Sequence, residues 1–133
     1  MIDCENEVFT RVATALREQF SGIDITSEYV NSPSAFPHVS ITQSDSYTLS
    51  DNQNNTLRDS MIVVMFEVNV YSNKTEGKKT ECKNIAKAID DLFNSMNFRR
   101  QSLTPVPNME DATIYRMTAR YRAATDGKYF YRR

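Results

Sequence analysis

The composition of the chain is that of an ordinary globular protein. Its 133 residues are 40% hydrophobic and 25% charged, and three glycines and four prolines exclude a low-complexity chain. This length predicts a single domain, residues 1–133, whose core needs no disulfide or metal. The formal net charge is −1, yet residues 115–133 hold six Lys and Arg side chains against one Asp, so the rest of the chain carries −6. Charge is therefore distributed asymmetrically along the chain.

The first part of the chain predicts one helix and two strands. Apolar residues recur every four positions from Val8 to Phe20, so we expect a helix over residues 3–20, with Asp3 as its N-cap. Residues 23–30 are typical of a short strand. After a turn, residues 36–41 indicate a second strand, in which Pro37 must lie at an edge or at the first position.

Residues 43–60, QSDSYTLSDNQNNTLRDS, are too polar to pack a core. Eighteen such residues exceed the length of a hairpin turn. We predict a long loop or extended hairpin, an arm that becomes ordered on a partner. The residues that we expect to contact this partner are Tyr47, Leu49, Asp51, Leu57 and Arg58.

The second part of the chain contains its strongest strand and its longest helix. Residues 61–71, MIVVMFEVNVY, alternate so that one face is wholly apolar, which predicts a strand covered on that face. Residues 74–96 carry an apolar stripe at helical spacing, and Gly77 weakens the first turn, so the alternative start of this helix is nearer Lys79. Residues 98–103, 112–123 and 128–132 favour three further strands.

The element order that follows is one helix, two strands, the polar segment, a strand, the second helix and three strands. Strands joined by turns, together with two helices, are typical of an α+β fold. We expect a mainly antiparallel or mixed sheet with both helices packed on one face. A rigid connection at residues 105–108 precedes the second long strand, because Pro105 and Pro107 offer no backbone amide to a sheet.

The sequence contains no recognisable catalytic or metal-binding motif. His38 has no nucleophile or acid that the sequence places beside it, and Asp90 and Asp91 are adjacent on a helix and so do not face each other. A glycine-rich phosphate loop and a nucleophile elbow are both absent. Cys4 and Cys82 form neither a Cys-x-x-Cys pair nor part of a His/Cys cluster. We therefore expect no enzyme activity, no cofactor and no metal.

The predicted strand at residues 112–123 has one cationic face. Alternate residues share a face, so Arg116, Arg120 and Arg122 lie together, opposite an apolar row. Three interpretations remain open at this stage: a solvated face with acidic cross-strand partners, a contact with acids of a neighbouring subunit, or the lining of a passage for a polyanion. A pI of about 5.8 and the lack of a helix-turn-helix pattern argue against sequence-specific DNA binding.

The last six residues, KYFYRR, alternate aromatic and cationic side chains and end in Arg132 and Arg133. Interleaved aromatics can stack on single-stranded bases. The more frequent use of such a terminus is to pack its aromatic rings on its own sheet or on a neighbour. The N-terminal residues form no signal peptide, and no apolar run approaches the ~20 residues of a membrane span, so we expect a soluble protein made in a reducing compartment and without a membrane partner.

Three segments carry a resemblance to a known family. They are FPHVSITQSDSYT, MFEVNVYSNKTEGKKTECKNIAKAIDDLF and PVPNMEDATIYRMTARYRA, followed by a YRR terminus, and together they span residues 36–133. In this pattern the chain resembles the tail terminator, or tail completion, proteins of tailed bacteriophages and phage-like particles of Gram-positive bacteria. None of these segments is a catalytic motif. The neck proteins encoded nearby are similar in size and in α/β character.

The resemblance implies a virion structural protein that assembles in the bacterial cytoplasm. Tail terminators form a ring, typically a hexamer, that caps the head-proximal end of the tail tube and stops its polymerisation. The implied partners are further copies of the chain, the tail tube protein and a head–tail connector or neck protein. Genome DNA passes through such a ring without sequence-specific binding. A head-completion or neck protein is the closest alternative, and a nucleic-acid-binding module that uses the basic C-terminal segment is the alternative from another class.

Under this resemblance the arginines gain a specific interpretation. A closed ring needs two different complementary patches on each subunit, and an acidic body beside a basic segment supplies complementary charge. We expect inter-subunit or lumen electrostatics to use five residues, namely Arg116, Arg120, Arg122, Arg132 and Arg133.

Overall fold

Two helices and six strands follow one another in the order that the sequence predicts. The computed structural model describes residues 1–48, 61–108 and 111–132. The elements are α1 (Glu5–Gln19), β1 (Asp24–Thr26), β2 (His38–Thr48), β3 (Ile62–Ser72), α2 (Lys78–Ser95), β4 (Arg99–Val106), β5 (Tyr115–Thr125) and β6 (Phe130–Tyr131). Neither helix is long and apolar enough to cross a membrane, as far as the described residues show.

The strands form one mixed sheet in the order β1-β2-β3-β5-β4. β1 pairs with β2 in parallel, and the pairings β2–β3, β3–β5 and β5–β4 are antiparallel. Because β3 pairs with the whole length of β5, the short strand β6 lies on the other side of β5, beyond the start of β4. The predicted α+β class is confirmed, and the sheet is mixed rather than purely antiparallel.

Both helices pack on one face of this sheet. The predicted stripe of α2 is buried, and alternate residues of β3 and β5 meet it from the sheet side. At the centre is an aromatic cluster in which the rings of Phe93 and Tyr121 stack with centroids 4.3 Å apart, while Phe66 and Phe98 meet Phe93 at 6.0 and 5.1 Å. Aromatic pairs in such geometries stabilise a fold by more than the burial of their apolar surface alone. The cluster fixes α2 against β3 and β5.

Val63 and Ala124 are buried at one end of the opposite face of the sheet, called here the helix-free face, and the β1–β2 connection covers the far end. At that end Tyr71 donates a hydrogen bond to the carbonyl oxygen of Val30, 3.1 Å away, so the β1–β2 connection contacts the sheet there. His38, Ser40, Asn69 and Thr118 are consequently buried. Towards the other end Asp45 and Arg99 are exposed, and Met65 and Arg122 are half-buried.

Several predicted boundaries are wrong, and each has a physical reason. β1 spans only Asp24–Thr26 because the chain then leaves the edge of the sheet for the helix-free face. α2 begins at Lys78, not at residue 74 and close to the alternative start near Lys79. The reason is that Gly77 adopts φ 81°, outside the helical region, so the helix can begin only after it. α1 begins at Glu5 with Cys4 as N-cap, although the Asp3 carboxylate does accept a hydrogen bond from the Glu5 amide at 3.2 Å.

Two polar or proline-containing segments proved to be strands. β2 continues to Thr48, so residues 43–48 of the predicted arm pair with the strongly β-forming β3, interrupted by a bulge between Gln43 and Asp45. β4 runs through Pro105 to Val106. An edge strand tolerates proline where the missing amide would face outwards. The prediction that the strand ends before Pro105 is therefore wrong. Residues 49–60 lie outside the described residues.

Candidate functional site

The predicted alternation along β5 is present in the structure. Met117, Ala119, Tyr121 and Ala123 are buried in the core. Arg116, Arg120 and Arg122 therefore lie on the helix-free face, where their register partners on β3 are Tyr71, Glu67 and Met65. The three arginines nevertheless have different surroundings.

Arg116 is bound within its own chain. Its Nε and Nη2 atoms donate hydrogen bonds to Oδ1 of Asn69 at 3.0 and 2.8 Å. Its guanidinium also lies 5.5 Å from the ring centroid of Tyr29 and 5.6 Å from that of Tyr71, within the range of cation–π attraction. Arg116 thus joins the β1–β2 connection to the sheet, which is a structural role.

Arg120 has an acidic cross-strand partner, as the interpretation of this row as a solvated face requires. Its Nη2 lies 2.8 Å from Oε1 of Glu67, the residue directly opposite on β3. The arginine side chain is 50% exposed, so the pair contributes roughly 1 kcal/mol or less. The charge of Arg120 is balanced locally.

Arg122 and Arg99 are the arginines of this face for which the described residues provide neither an acid nor a hydrogen-bond acceptor. They are direct register partners on β5 and β4, and among the described residues neither forms an ion pair. The Nε atom of Arg122 is buried without a hydrogen-bond partner there. Like charges placed directly opposite each other on neighbouring strands are destabilising. An anionic group from outside the described chain would relieve this repulsion.

Two residues of the basic C-terminal segment contact their own domain, and its other described residues are exposed. Nη2 of Arg132 donates hydrogen bonds to the carbonyl oxygen of Asn94, at 3.1 Å, and to the side-chain oxygen of Asn94, in the last turn of α2. A cation at a helix C-terminus is favourable. Phe130 packs on Phe98 with ring centroids 5.1 Å apart. Tyr131 remains exposed, and Arg133 lies outside the described residues.

Of the predicted partner-contact residues, only Tyr47 is described. It belongs to β2, opposite Val63, and its side chain is exposed. Of the two predicted alternatives, a long loop or an extended hairpin, its pairing with β3 corresponds to the hairpin. Leu49, Asp51, Leu57 and Arg58 lie outside the described residues.

His38 has neighbours that the sequence did not indicate. Its Nδ1 lies 2.8 Å from Oδ2 of Asp24, and its Nε2 lies 3.4 Å from Oγ1 of Thr26. This acid–imidazole–hydroxyl order resembles a proton relay, but the His38 side chain is only 1% exposed, and the hydroxyl of Thr26 donates to the carbonyl of Glu28 at 2.9 Å. A substrate has no access to the ring, so the arrangement holds β1 against β2.

Neither cysteine is suited to nucleophilic chemistry. Burial raises the pKa of the Cys4 thiol to about 11 and that of the Cys82 thiol to about 12. Sγ of Cys82 lies 3.5 Å from the carbonyl oxygen of Tyr115 and 3.7 Å from that of Val70, inside the core. Within the described residues no group of three His, Cys, Asp or Glu side chains is placed to hold a metal ion.

We expect both native thiols to be unreactive in the folded protein, because only an accessible thiolate attacks a disulfide reagent. Ellman's reagent near neutral pH should modify neither Cys4 nor Cys82 until a denaturant is added. A Ser44→Cys variant provides an exposed control thiol on β2, which should react at once. A native thiol that reacts as fast as this control would contradict the burial of that cysteine.

The comparisons show no family. A scan against protein-family models gave no match, and no curated protein matched the chain significantly.

Proposed function

We propose that this chain is a structural, ring-forming tail terminator of a bacteriophage or phage-like particle. It would cap the head-proximal end of the tail tube, stop tube polymerisation and provide the joint to the head. The observation that carries the proposal is the open part of the helix-free face, where Arg99 and Arg122 lie opposite each other without an acidic partner among the described residues. The resemblance over residues 36–133 supplies the family.

A ring gives this arginine pair a use. Placed towards the lumen, the helix-free face would attract the phosphates of the passing genome, and such attraction requires only local positive charge. Placed towards a neighbour, it would meet acids of another subunit or of the tube protein. Arg116, Arg120 and Arg132 support neither role directly, since each contacts its own chain. Of the five arginines expected to act in the ring, Arg122 is therefore the one that the described contacts leave available. Arg99, which the sequence did not indicate, joins it, and Arg133 lies outside the described residues.

Two other functions compete with this proposal. A head-completion or neck protein would share the fold and the cationic face, but it would act on the head side of the joint. A nucleic-acid-binding module would use the basic C-terminal segment. The contacts of Phe130 and Arg132 with the domain leave fewer free groups for stacking and phosphate binding in that segment.

Deleting the gene from its phage or prophage separates these functions. Electron microscopy should show overlong, headless tail tubes if the protein stops tube growth. Tails of normal length beside unattached heads would assign the protein to the neck or to head completion. Normal, joined particles would contradict both virion functions and favour the nucleic-acid-binding module.

We expect the double substitution Arg99→Gln/Arg122→Gln to lower the yield of infectious particles while leaving the fold intact. The reason is that these substitutions remove two unpaired charges and break no described ion pair. The measurement is the infectious titre, alongside circular dichroism of the purified variant. The charge-matched control is Lys83→Gln/Lys87→Gln, on the exposed side of α2, which should leave the titre unchanged. Equal titres for both variants would show that the arginine pair is a solvated surface feature.

A further inference from the structure

The sheet ends in two open edges. On one side β4 has no neighbour beyond it among the described strands. On the other side β1 pairs with β2 only over His38–Ser40, which leaves Ile41–Tyr47 without an outer partner strand in the described part of the chain. Open edges present unpaired backbone donors and acceptors to any strand of matching shape.

The side chains at these two edges are complementary in charge. Arg99 lies on the β4 edge, and Asp45 on the β2 edge forms no ion pair with a described residue. Following the register across the sheet, Asp45 pairs with Met65, Met65 with Arg122, and Arg122 with Arg99, so all four lie at one level on the helix-free face. In addition, Oγ of Ser102 on β4 and Oε1 of Gln43 on β2 are buried without a described hydrogen-bond partner.

We propose that copies of this chain join edge to edge, with β4 of one copy adding to the Ile41–Tyr47 part of β2 in the next. This proposal depends on the ring of the proposed function and names its subunit interface. The occupant of each edge is a second copy of the chain, and the joint extends one sheet from subunit to subunit. The contact is heterologous, which is the type that closes into a ring.

Strand direction agrees with this joint. Three successive antiparallel pairings connect β2 to β4, so these two strands run in opposite directions within one copy. When copies stand side by side in the same orientation, β4 of one therefore meets β2 of the next as an antiparallel pair. Antiparallel addition of a strand to an open edge is a common mode of protein recognition.

The neighbour's β1 determines the register of the joint. At equal level Asp45 would face Arg99, but β4 would then meet the neighbour's β1 at Thr104. The neighbour can instead be shifted along the strand direction by two residues, which is one pair of side chains on the helix-free face. Its Asp45 then lies opposite Ser102, and its Thr42 lies opposite Thr104. This shift keeps β4 clear of β1 as far as Pro105. Asp45 then lies diagonally from Arg99, within reach of a long side chain.

Features of both edges restrict the choice of partner. Each edge strand contains a bulge, and β4 also contains Pro105 and two adjacent arginines. These features limit unspecific edge pairing. A strand that adds here must therefore supply opposite charge, as the Asp45 edge of a second copy does. The same bulges, proline and arginines would also protect an edge that stays unpaired. A disulfide across the joint distinguishes a paired edge from an unpaired one.

The test is a disulfide across the joint. A chain carrying both Asp45→Cys and Ser102→Cys is oxidised mildly and run on a non-reducing gel. Within one copy the two positions are three strand spacings apart, roughly 14 Å, which exceeds the reach of a disulfide. We expect a ladder of covalent oligomers that ends at the ring size measured for the wild-type chain by native mass spectrometry. A second pair, Thr42→Cys/Thr104→Cys, should give the same ladder.

The matched control is Asp45→Cys/Leu103→Cys, because Leu103 packs against the core on the helix side of the sheet and cannot meet Asp45. Rings of the wild-type chain without ladders from either test pair, or with equal ladders from the control, would overturn the edge joint and leave the proposed function standing. A wild-type chain that stays single in concentrated solution and on purified tail tubes would overturn both. Ladders together with normal joined particles from the deletion strain would retain the joint and remove the tail function.

Discussion

Replacing Phe93 with alanine is expected to lower the free energy of unfolding by about 3–5 kcal/mol. The Phe93 ring is fully buried and stacks on Tyr121 at 4.3 Å with an angle of 4° between the ring planes. It also meets Phe98 edge-on at 5.1 Å. Its removal leaves a cavity among side chains held by β3, by β5 and by the connection between α2 and β4, so the surroundings cannot collapse into it.

Denaturant unfolding followed by circular dichroism measures this loss. The matched control is Leu92→Ala, one position earlier on α2, because it also replaces a large apolar side chain by alanine and Leu92 is only partly buried. We expect the control to cost about 1 kcal/mol, near the centre of the range for point mutations. Similar losses at both positions would show that the aromatic cluster is not the centre of the core.

The cluster matters for the function as well as for stability. It fixes α2 on β3 and β5, and those strands determine which residues lie on the helix-free face. A variant that loosens the cluster would therefore disturb Arg122 and both sheet edges without contacting any partner. Assays of assembly should be interpreted only for variants whose unfolding free energy has been measured.

The sequence predicted what local periodicity encodes. The alternation of residues 61–71, the helical stripe of α2 and the two faces of β5 each repeat within a few residues, and each is present in the structure. Together they were sufficient for the α+β class and for the position of the arginines. They were not sufficient for their partners, because a strand pattern does not specify which strand lies beside it.

The errors that affect the site involve contacts between distant residues. Asn69 and Arg116 are 47 positions apart, and Asp24 reaches His38 only because β1 pairs with β2 in parallel. Residues 43–48 are polar, yet they form part of β2 because β3 offers a long, strongly β-forming edge. Tertiary pairing there overrides a weak local preference. The open edges likewise became visible only once the strand order was known.

We expect Asn69→Ala to lower the free energy of unfolding by about 2–3 kcal/mol, the range for losing hydrogen bonds to a charged group and leaving polar atoms unpaired. Oδ1 of Asn69 accepts two hydrogen bonds from Arg116 and one from Thr118, at 2.7 Å, and the side chain is fully buried. The substitution leaves the guanidinium half-buried between Tyr29 and Tyr71 with no described acceptor.

Glu67→Ala is the matched control, since Glu67 lies two residues earlier on β3, faces the same way and binds Arg120. Arg120 is half-exposed, so water replaces the lost carboxylate, and the cost should stay below about 1 kcal/mol. Denaturant unfolding of both variants measures the difference. Equal costs would mean that Arg116 is as free as Arg120 and would return it to the surface available for assembly. A large cost at Asn69 alone would instead mean that substitutions of Arg116 impair assembly by unfolding the domain, which leaves Arg99 and Arg122 as the arginines that a partner can use.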